Sequence, residues 1–515
     1  MCASAAHSTV ADLVGSFVNA APDQVHTEYL RLVDSLWDSG TLTGLARPAA
    51  PVLVAHLDLV SSDRQGYLAV LLGLLVEAGY PATDGEVTTA VHSGLDRYLD
   101  LLGRPTTGEP LASALLYLVA HFPDDGDLIL AAADRRALDP DDRSRLERNL
   151  RRLNLDDVVL GRVWPSPSEW AMTEEEREFD RRWIRTLSPE QIAAAWESDT
   201  RMTLGYSGAK AYWALRNGIP TVVTDSGRHR TTKPRGRLGQ DMNIDVFRRH
   251  APVFRCPSCH GGLDFRSGAV RCPSCSARYP TTHGVLDLTA SISTRAADDP
   301  DDVLQNAATM HSIGQYYETV LRPAFLRLMG SNWGGLVTPS DEDGYLARHV
   351  HPVDGPVLDL AAGAGRWTAV LSDTLGDDRI VALDLNMTML TWLHGRLPRV
   401  PTVRASALTL PFVDASLGAV NCWNALQALP DPAAAMAEVG RCLRPGGTLT
   451  LMTFRWASDP IYRYFQSSFS GPGFPNGMPL FELDQIKEWL DMAGLSIRDE
   501  AVPGTFVIIT AERTD

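Results

Sequence analysis

Two patterns of apolar and polar positions divide the chain. Up to about residue 155, apolar residues recur at helical spacing in Asp23–Trp37, Ala49–Leu59, Gly66–Ala78, Val87–Leu102, Pro110–Phe122 and Gly126–Ala133, with Gly, Pro, Asp or Ser between them. That recurrence puts apolar side chains on one helix face. Short polar breaks join antiparallel neighbours, so the pattern predicts helical pairs or a short solenoid. Pro140–Asn154 is a charged helix, with Asp139 at its N-cap and Pro140 at its first position. Beyond residue 350 the pattern changes. Val357–Leu360 is a short, mostly apolar run that passes into Gly363 and Gly365, with a helix expected from about Arg366; Ile380–Asp384 is a second run ending in an acid. Short apolar runs alternating with helices predict buried parallel strands. Glycines at a strand-to-helix turn let the backbone approach a ligand, and an acid closing the next strand suits a ribose diol.

Between these regions, residues 156–225 are rich in aromatics: Trp164, Trp170, Trp183, Trp196, Tyr206, Tyr212 and Trp213. Such residues serve as core or line a ligand site, and core is the commoner use. Ser226–Gln240 is basic and nearly free of apolar residues, and reads as a loop or linker. At 515 residues the length suggests several domains. A net charge of −16 weighs against attraction of the whole surface to nucleic acid or an anionic membrane. Met1–His7 has neither a basic start nor an apolar core, and the longest apolar run, Tyr67–Ala78, is too short to span a bilayer. A cytoplasmic protein is expected. Pro51–Leu57 and Leu111–Pro123 resemble the helical faces of HEAT-like repeats. That resemblance implies a docking surface for a protein partner or a homodimer; a helical domain that buttresses an enzyme is the competing reading.

Cys256, Cys259, Cys272 and Cys275 form two C-x2-C knuckles separated by twelve residues. Paired knuckles supply the closed tetrahedral thiolate set of a structural zinc site, with no open position for catalysis. Gly261, Gly262, Gly268, Leu263, Phe265 and Val270 fit a small hairpin that needs its metal to fold. His260 and His283 are bystanders. Through Tyr279–Leu288 this stretch resembles the zinc ribbon ahead of several bacterial methyltransferase domains, some acting on rRNA and some on small metabolites.

From about Leu304 onward, some 210 residues resemble the class I S-adenosylmethionine methyltransferase family. The motifs are Val357–Gly365, Asp384 with Leu385 and Asn386, Ser406–Ser416, Ala419–Pro432, and Glu438–Gly447 leading into a fifth strand over Thr448–Thr453. The resemblance implies that Asp359, Ala361, Gly363 and Gly365 hold the methionine end of the cofactor. Asp384 and Leu385 then take the ribose, Ser406 and Ala407 the adenine, while Asn421 and Asn424 lie on the strand and loop beneath the sulfonium. Candidates to cover or engage the acceptor are Tyr316, Tyr317 and Gln427, with Asn424 and the segment Phe454–Tyr462. The chain departs from the family at Ser406, Gly418, Gln427 and Ala428, where relatives often carry acids or histidines. Thr368 stands where a dinucleotide fold would carry its third glycine.

The expected architecture is therefore multidomain: an all-α, HEAT-like region over 1–155, a Trp-rich helical region and basic linker over 156–245, a zinc ribbon over 246–290, and an α/β Rossmann-like methyltransferase domain over 291–515. The expected activity is methyl transfer from S-adenosylmethionine to a small molecule or biosynthetic peptide. Competing readings are an rRNA or tRNA base methyltransferase using the ribbon and the Arg228–Arg237 loop, and a scaffold that binds the cofactor without turnover.

Overall fold

The computed structural model describes residues 2–80, 85–104, 107–163, 174–222, 244–267, 269–289, 322–469 and 477–514. Tyr316, Tyr317 and the basic loop lie outside them. In chain order the helices are α1 Cys2–Val18, α2 Val25–Leu36, α3 Ala46–His56, α4 Ser62–Glu77, α5 Glu86–His92, α6 Leu95–Gly103, α7 Glu109–Val119, α8 Gly126–Ala133, α9 Pro140–Leu150, α10 Glu174–Ile184 and α11 Pro189–Asn217. They continue as α12 Asp245–Arg248, α13 Arg322–Met329, α14 Pro339–His349, α15 Arg366–Leu375, α16 Met387–Arg396, α17 Pro432–Cys442, α18 Pro460–Ser467 and α19 Leu483–Met492. Two compact units form: Met1–Trp164 with Arg177–Val223 and Ala457–Gly477, and Pro165–Glu176 with Thr224–Trp456 and Met478–Asp515.

Among its described residues the first unit is helical apart from turns and a short hairpin, β1 Trp37–Asp38 with β2 Thr41–Leu42. Its centre is α4, apolar around its whole circumference and buried from Gln65 to Glu77, as a helix without a polar face must be. It packs on α7, and both pack on α11. A solenoid stacks each helix pair on the next; this core instead joins helices distant in sequence, so HEAT-like repetition is not displayed. The helix expected over Val87–Leu102 is two, α5 and α6, broken at Ser93-Gly94. At Gly94 a β-carbon would lie 2.4 Å from the Tyr98 hydroxyl, so the break falls at a residue with no room for a side chain. The N-cap expected at Asp139 forms, its carboxylate accepting from Asp141 N at 2.8 Å. Trp196, Tyr206 and Tyr212 of the aromatic-rich region are buried on α11. That helix opens on a Ser188–Gln191 capping box and closes at Gly218 in the left-handed conformation.

The second unit holds β3 Asp264–Ser267, β4 Ala269–Arg271, β5 Arg278–Tyr279, β6 Thr281–Thr282, β7 Val285–Asp287, β8 Val357–Leu360, β9 Ile380–Asp384, β10 Thr402–Arg404, β11 Leu417–Trp423, β12 Leu443–Phe454, β13 Leu495–Ala501 and β14 Phe506–Arg513. Nine of them form one mixed sheet in the order β13-β14-β12-β11-β8-β9-β10-β7-β6. Strands β12 through β7 in that order run parallel, and β13, β14 and β6 are antiparallel to their neighbours. β8 and β11 are buried along their whole length, which fits strands covered on both faces. From β8 the chain winds outward through β9 and β10, then returns to place β11 on the other side of β8. The order therefore reverses between β8 and β11. A crevice opens at such a reversal, beyond the carboxyl ends of the strands.

Strands β3, β4 and β5 form the small cysteine-bearing sheet. Its side chains belong to the same apolar cluster as the large sheet: Phe254, Phe265 and Val270 join Phe412, Leu410 and Val403. Phe254 bridges to Phe412, and Arg255 N donates to Pro411 O at 3.0 Å. β7 then pairs in parallel with β10, Leu286 opposite Val403, extending the large sheet.

Candidate functional site

The turn after β8 is the first element of the crevice. Ala361, Gly363 and Gly365 have φ of 56°, 53° and 85°. Three left-handed residues within five coil the chain tightly before α15. Glycine adopts this conformation at no steric cost, whereas Ala361 holds it against about 1–2 kcal/mol of strain. Around an ideal β-carbon at Gly363 there is nothing within 4 Å, so this glycine leaves open space for a ligand to approach. At Gly365 the β-carbon would meet Leu393 at 2.7 Å; that glycine serves helix packing.

Two carboxylates flank the turn. Asp359, 1% exposed on β8, accepts from Thr368 Oγ1 at 2.5 Å and from Asn421 Nδ2 at 2.8 Å. Burial pushes its pKa up to about 6 against the pull of those two hydrogen bonds, and the charge on Asp384 adds to the rise. Asp384, at the end of β9, accepts from Gly363 N at 2.9 Å and Asn386 N at 2.8 Å. Burial raises its pKa as well, opposed by those backbone donors. The Gly363 bond ties the acid directly to the glycine turn. Beside it Leu385 exposes 56% of its surface, an apolar face next to a carboxylate at the strand edge. Ser406 and Ala407 follow β10, with Ser406 Oγ accepting from Leu408 N at 3.1 Å.

The opposite wall is the end of β11. Asn421 is fully buried; it donates to Asp359 and accepts from Thr450 Oγ1 at 3.2 Å. Asn424 takes φ of 57°, so both loops at the reversal carry a strained non-glycine residue, a condition that collects at functional sites. Gln427 donates to Asn424 O at 3.1 Å and Oδ1 at 3.0 Å, and accepts from Thr453 Oγ1 at 3.0 Å. Its amide is thereby occupied in holding the loop.

Thr368, which in the sequence only interrupts a third-glycine pattern, donates its hydroxyl to Asp359. A cluster behind Trp423 gave no sequence signal at all. Trp423 Nε1 donates to Glu342 Oε1 at 3.0 Å, and Arg322 pairs with the same carboxylate. Arg322 also lies 4.8 Å from the Trp367 ring, which is 5.7 Å from Trp423. These contacts join residues far apart in sequence.

The four knuckle cysteines converge, all their sulfurs lying within 4.8 Å of one another. Cys256 to Cys275 is 3.7 Å and Cys259 to Cys272 is 3.4 Å. A tetrahedral ion with sulfur at 2.3 Å separates its ligands by about 3.8 Å, so this donor set fits zinc.

Residues 357–447 match the family described as a methyltransferase domain. An uncharacterized chloroplastic methyltransferase of Arabidopsis thaliana is 26% identical over 232 residues, covering 41% of this chain and 64% of that relative. A second from the same plant is 25% identical over 325 residues, covering 58% of this chain and 88% of the relative. Demethylmenaquinone methyltransferase of a Mycobacterium species is 31% identical over 154 residues, 28% of this chain and 65% of that enzyme. Among solved structures, geranyl diphosphate C-methyltransferase of Streptomyces coelicolor covers 34% of this chain and 79% of its own, at 15% identity and a TM-score of 0.29. The chain thus carries a methyltransferase domain of the S-adenosylmethionine-dependent kind. Among the described residues no helix is long and apolar enough to cross a membrane.

Proposed function

We propose that this protein transfers the methyl group of S-adenosylmethionine to a small molecule or a biosynthetic peptide, in the manner of natural-product tailoring. The observation that carries the reading is the bond between Gly363 N and Asp384 at the strand-order reversal. It couples a turn open to a ligand with an acid suited to a ribose diol. In this reading Asp384 and Leu385 hold the nucleoside, Ser406 and Ala407 flank the adenine, and the turn with Asp359 holds the methionine end.

The sulfonium supplies a methyl that is already electrophilic. What the chain contributes is alignment and exclusion of water, which is proximity catalysis. Asn421 and Thr368 keep Asp359 in one orientation, and Gln427 keeps Asn424 in its strained one. Neither Gln427 nor Asn424 is a base near neutral pH, which suits an acceptor that needs no proton removed by these groups. Cys256, Cys259, Cys272 and Cys275 hold a structural zinc in this reading, closed to substrate.

The test has two arms. Calorimetry with S-adenosylmethionine should give binding by the wild-type chain and weaker binding by Asp384→Ala; equal dissociation constants would remove Asp384 from the site. Incubation of producer-cell extract with deuteromethyl-labelled cofactor should label a small metabolite or peptide in the mass spectrum. Label appearing in ribosomal or transfer RNA instead would overturn the substrate class.

A further inference from the structure

We propose that four buried side chains, Arg322, Glu342, Trp367 and Trp423, set the spacing between the two loops at the strand-order reversal. They thereby align methyl group and acceptor, a role that rests on the methyl-transfer reading above. All four belong to the sheet-bearing unit, and each comes from a different element: α13, α14, α15 and β11. Trp367 lies two residues beyond Gly365, where the glycine turn passes into α15. Trp423 is the last residue of β11 and the immediate neighbour of Asn424. Each loop therefore carries one tryptophan.

The contacts among the four close a circuit. Trp423 Nε1 donates to Glu342 Oε1 at 3.0 Å, and Arg322 pairs with that same oxygen. The Arg322 guanidinium lies 4.8 Å from the Trp367 ring, and the two indole rings are 5.7 Å apart, tilted by 55°. α14 is the fixed side of the circuit. Its Tyr345 donates to Asp499 Oδ2 on β13 at 2.8 Å and accepts from Thr510 Oγ1 on β14 at 2.9 Å. Its Asp343 accepts from Arg366 Nη2 at 2.8 Å, one residue before Trp367.

Packing alone calls for no charge here. Replacing a buried ion pair by apolar side chains of similar volume often leaves stability unchanged or raises it. This pair is also incompletely satisfied: among the described residues, Arg322 Nε and Glu342 Oε2 have no hydrogen-bond partner, which adds to its cost. What the pair supplies is direction. It holds the Trp423 indole by its one donor and the Trp367 ring by its face. The loops attached to those rings need such holding, because Ala361 and Asn424 take φ of 56° and 57°. Strained residues persist only where their surroundings over-determine them. Asp359 and Asn421 already tie β8 to β11 within the sheet. The circuit ties the exits of the same two strands again, through α13, α14 and α15. Arg322, Glu342, Trp367 and Trp423 are thus positioning residues, acting through the glycine turn and the Asn424 loop.

The experiment uses the full chain. Trp423→Phe keeps an aromatic ring and removes the donor to Glu342. Arg322→Leu combined with Glu342→Leu removes both charges, so no buried charge is left unpaired. Both variants are compared with wild type in three measurements: S-adenosylhomocysteine affinity by calorimetry, hydrogen exchange over residues 361–367 and 424–428, and the rate at which deuteromethyl label enters producer-cell extract at saturating cofactor. Exchange should quicken in the two loops together. Affinity should hold, because Asp384 and Leu385 are untouched, while label entry slows by about tenfold to a hundredfold, as misplacement by about 1 Å does. Label entry at the wild-type rate in either folded variant would overturn the proposal. So would faster exchange in one loop alone, or equal loss of affinity and rate in Trp423→Phe, which marks a damaged cofactor site and not misalignment. A wild-type chain that binds no S-adenosylhomocysteine, or binds it and transfers nothing, overturns the methyl-transfer reading itself, and this proposal with it.

Discussion

Asp359 offers a quantitative test of how the site is built. It is a carboxyl removed from water that accepts from two uncharged donors, Thr368 and Asn421. Burial raises its pKa from 3.8 to about 6. At 1.36 kcal/mol for each tenfold change in proton affinity, the difference amounts to about 3 kcal/mol. Because the carboxyl is almost completely buried, solvent screening does not reduce that figure much. The folded chain holds this proton more tightly than the unfolded chain does. The contribution is therefore fully present below about pH 4 and is lost as pH rises through 6. Asp359→Asn keeps the shape and still accepts from Asn421, but cannot ionise. Hydrogen exchange of the β8 peptide suits the measurement, since two compact units need not unfold in one step. Between about pH 4 and pH 7 the protection of wild-type apoprotein should fall relative to the variant by about 3 kcal/mol. A difference that stays flat across that range would refute the reasoning, because Asp359 would then ionise as freely folded as unfolded. The same reasoning predicts that a cationic ligand end beside Asp359 favours its ionised form. Cofactor binding near pH 5 should accordingly release a proton, seen as a buffer-dependent heat.

Three further outcomes are expected. Asp384→Ala removes one charge-assisted acceptor for the ligand and frees Gly363 N; cofactor affinity measured by calorimetry should drop by about tenfold to a hundredfold, the equivalent of about 1.5–3 kcal/mol. Replacing Cys256 and Cys272 by serine should abolish bound zinc in elemental analysis and lower the melting temperature of the sheet-bearing unit, since Phe254 and Phe265 share its core. Glu342→Ala strands the buried Arg322 charge and should cost about 3–5 kcal/mol in denaturant unfolding, while replacing both partners with leucine should cost less than the single change.

The parts of the fold governed by local pattern were readable in the sequence. β8, the glycine turn, the start of α15 at Arg366 and the acid closing β9 follow from apolar runs, glycines and spacing alone. Strand β12 shows where local signals mislead. Arg444-Pro-Gly-Gly447 reads as a turn, which places the strand over Thr448–Thr453; it spans Leu443–Phe454, and the irregularity appears as a register shift against β11 between Leu417 and Ala419. The cluster of Arg322, Glu342 and Trp423 and the seating of α18 against α11 were invisible for one reason. Each joins segments whose separate patterns are ordinary, and only long-range packing brings them together. Gln427 was readable as atypical, but its role of holding Asn424 emerges from three hydrogen bonds that no spacing rule encodes.

The cysteine knuckles show the converse: a local motif can be clear while its reach is not. Taken alone, the stretch from Phe254 to Pro280 looks like a self-contained module that a metal must fold. In the folded chain its phenylalanines are continuous with Phe412, and β7, a few residues beyond the knuckles, supplies a strand beside β10. The zinc proposed here would therefore contribute its binding free energy to a shared core. The part of that core nearest the knuckles includes Leu410 and Phe412, just after Ser406 and Ala407, where the adenine is proposed to sit. Loss of the metal should accordingly loosen the nucleoside side of the crevice before the β11–β12 side, because β11 and β12 are held by a ladder that needs nothing from the ribbon. A closed thiolate site with no place for substrate can in this way govern how well the cofactor edge is formed.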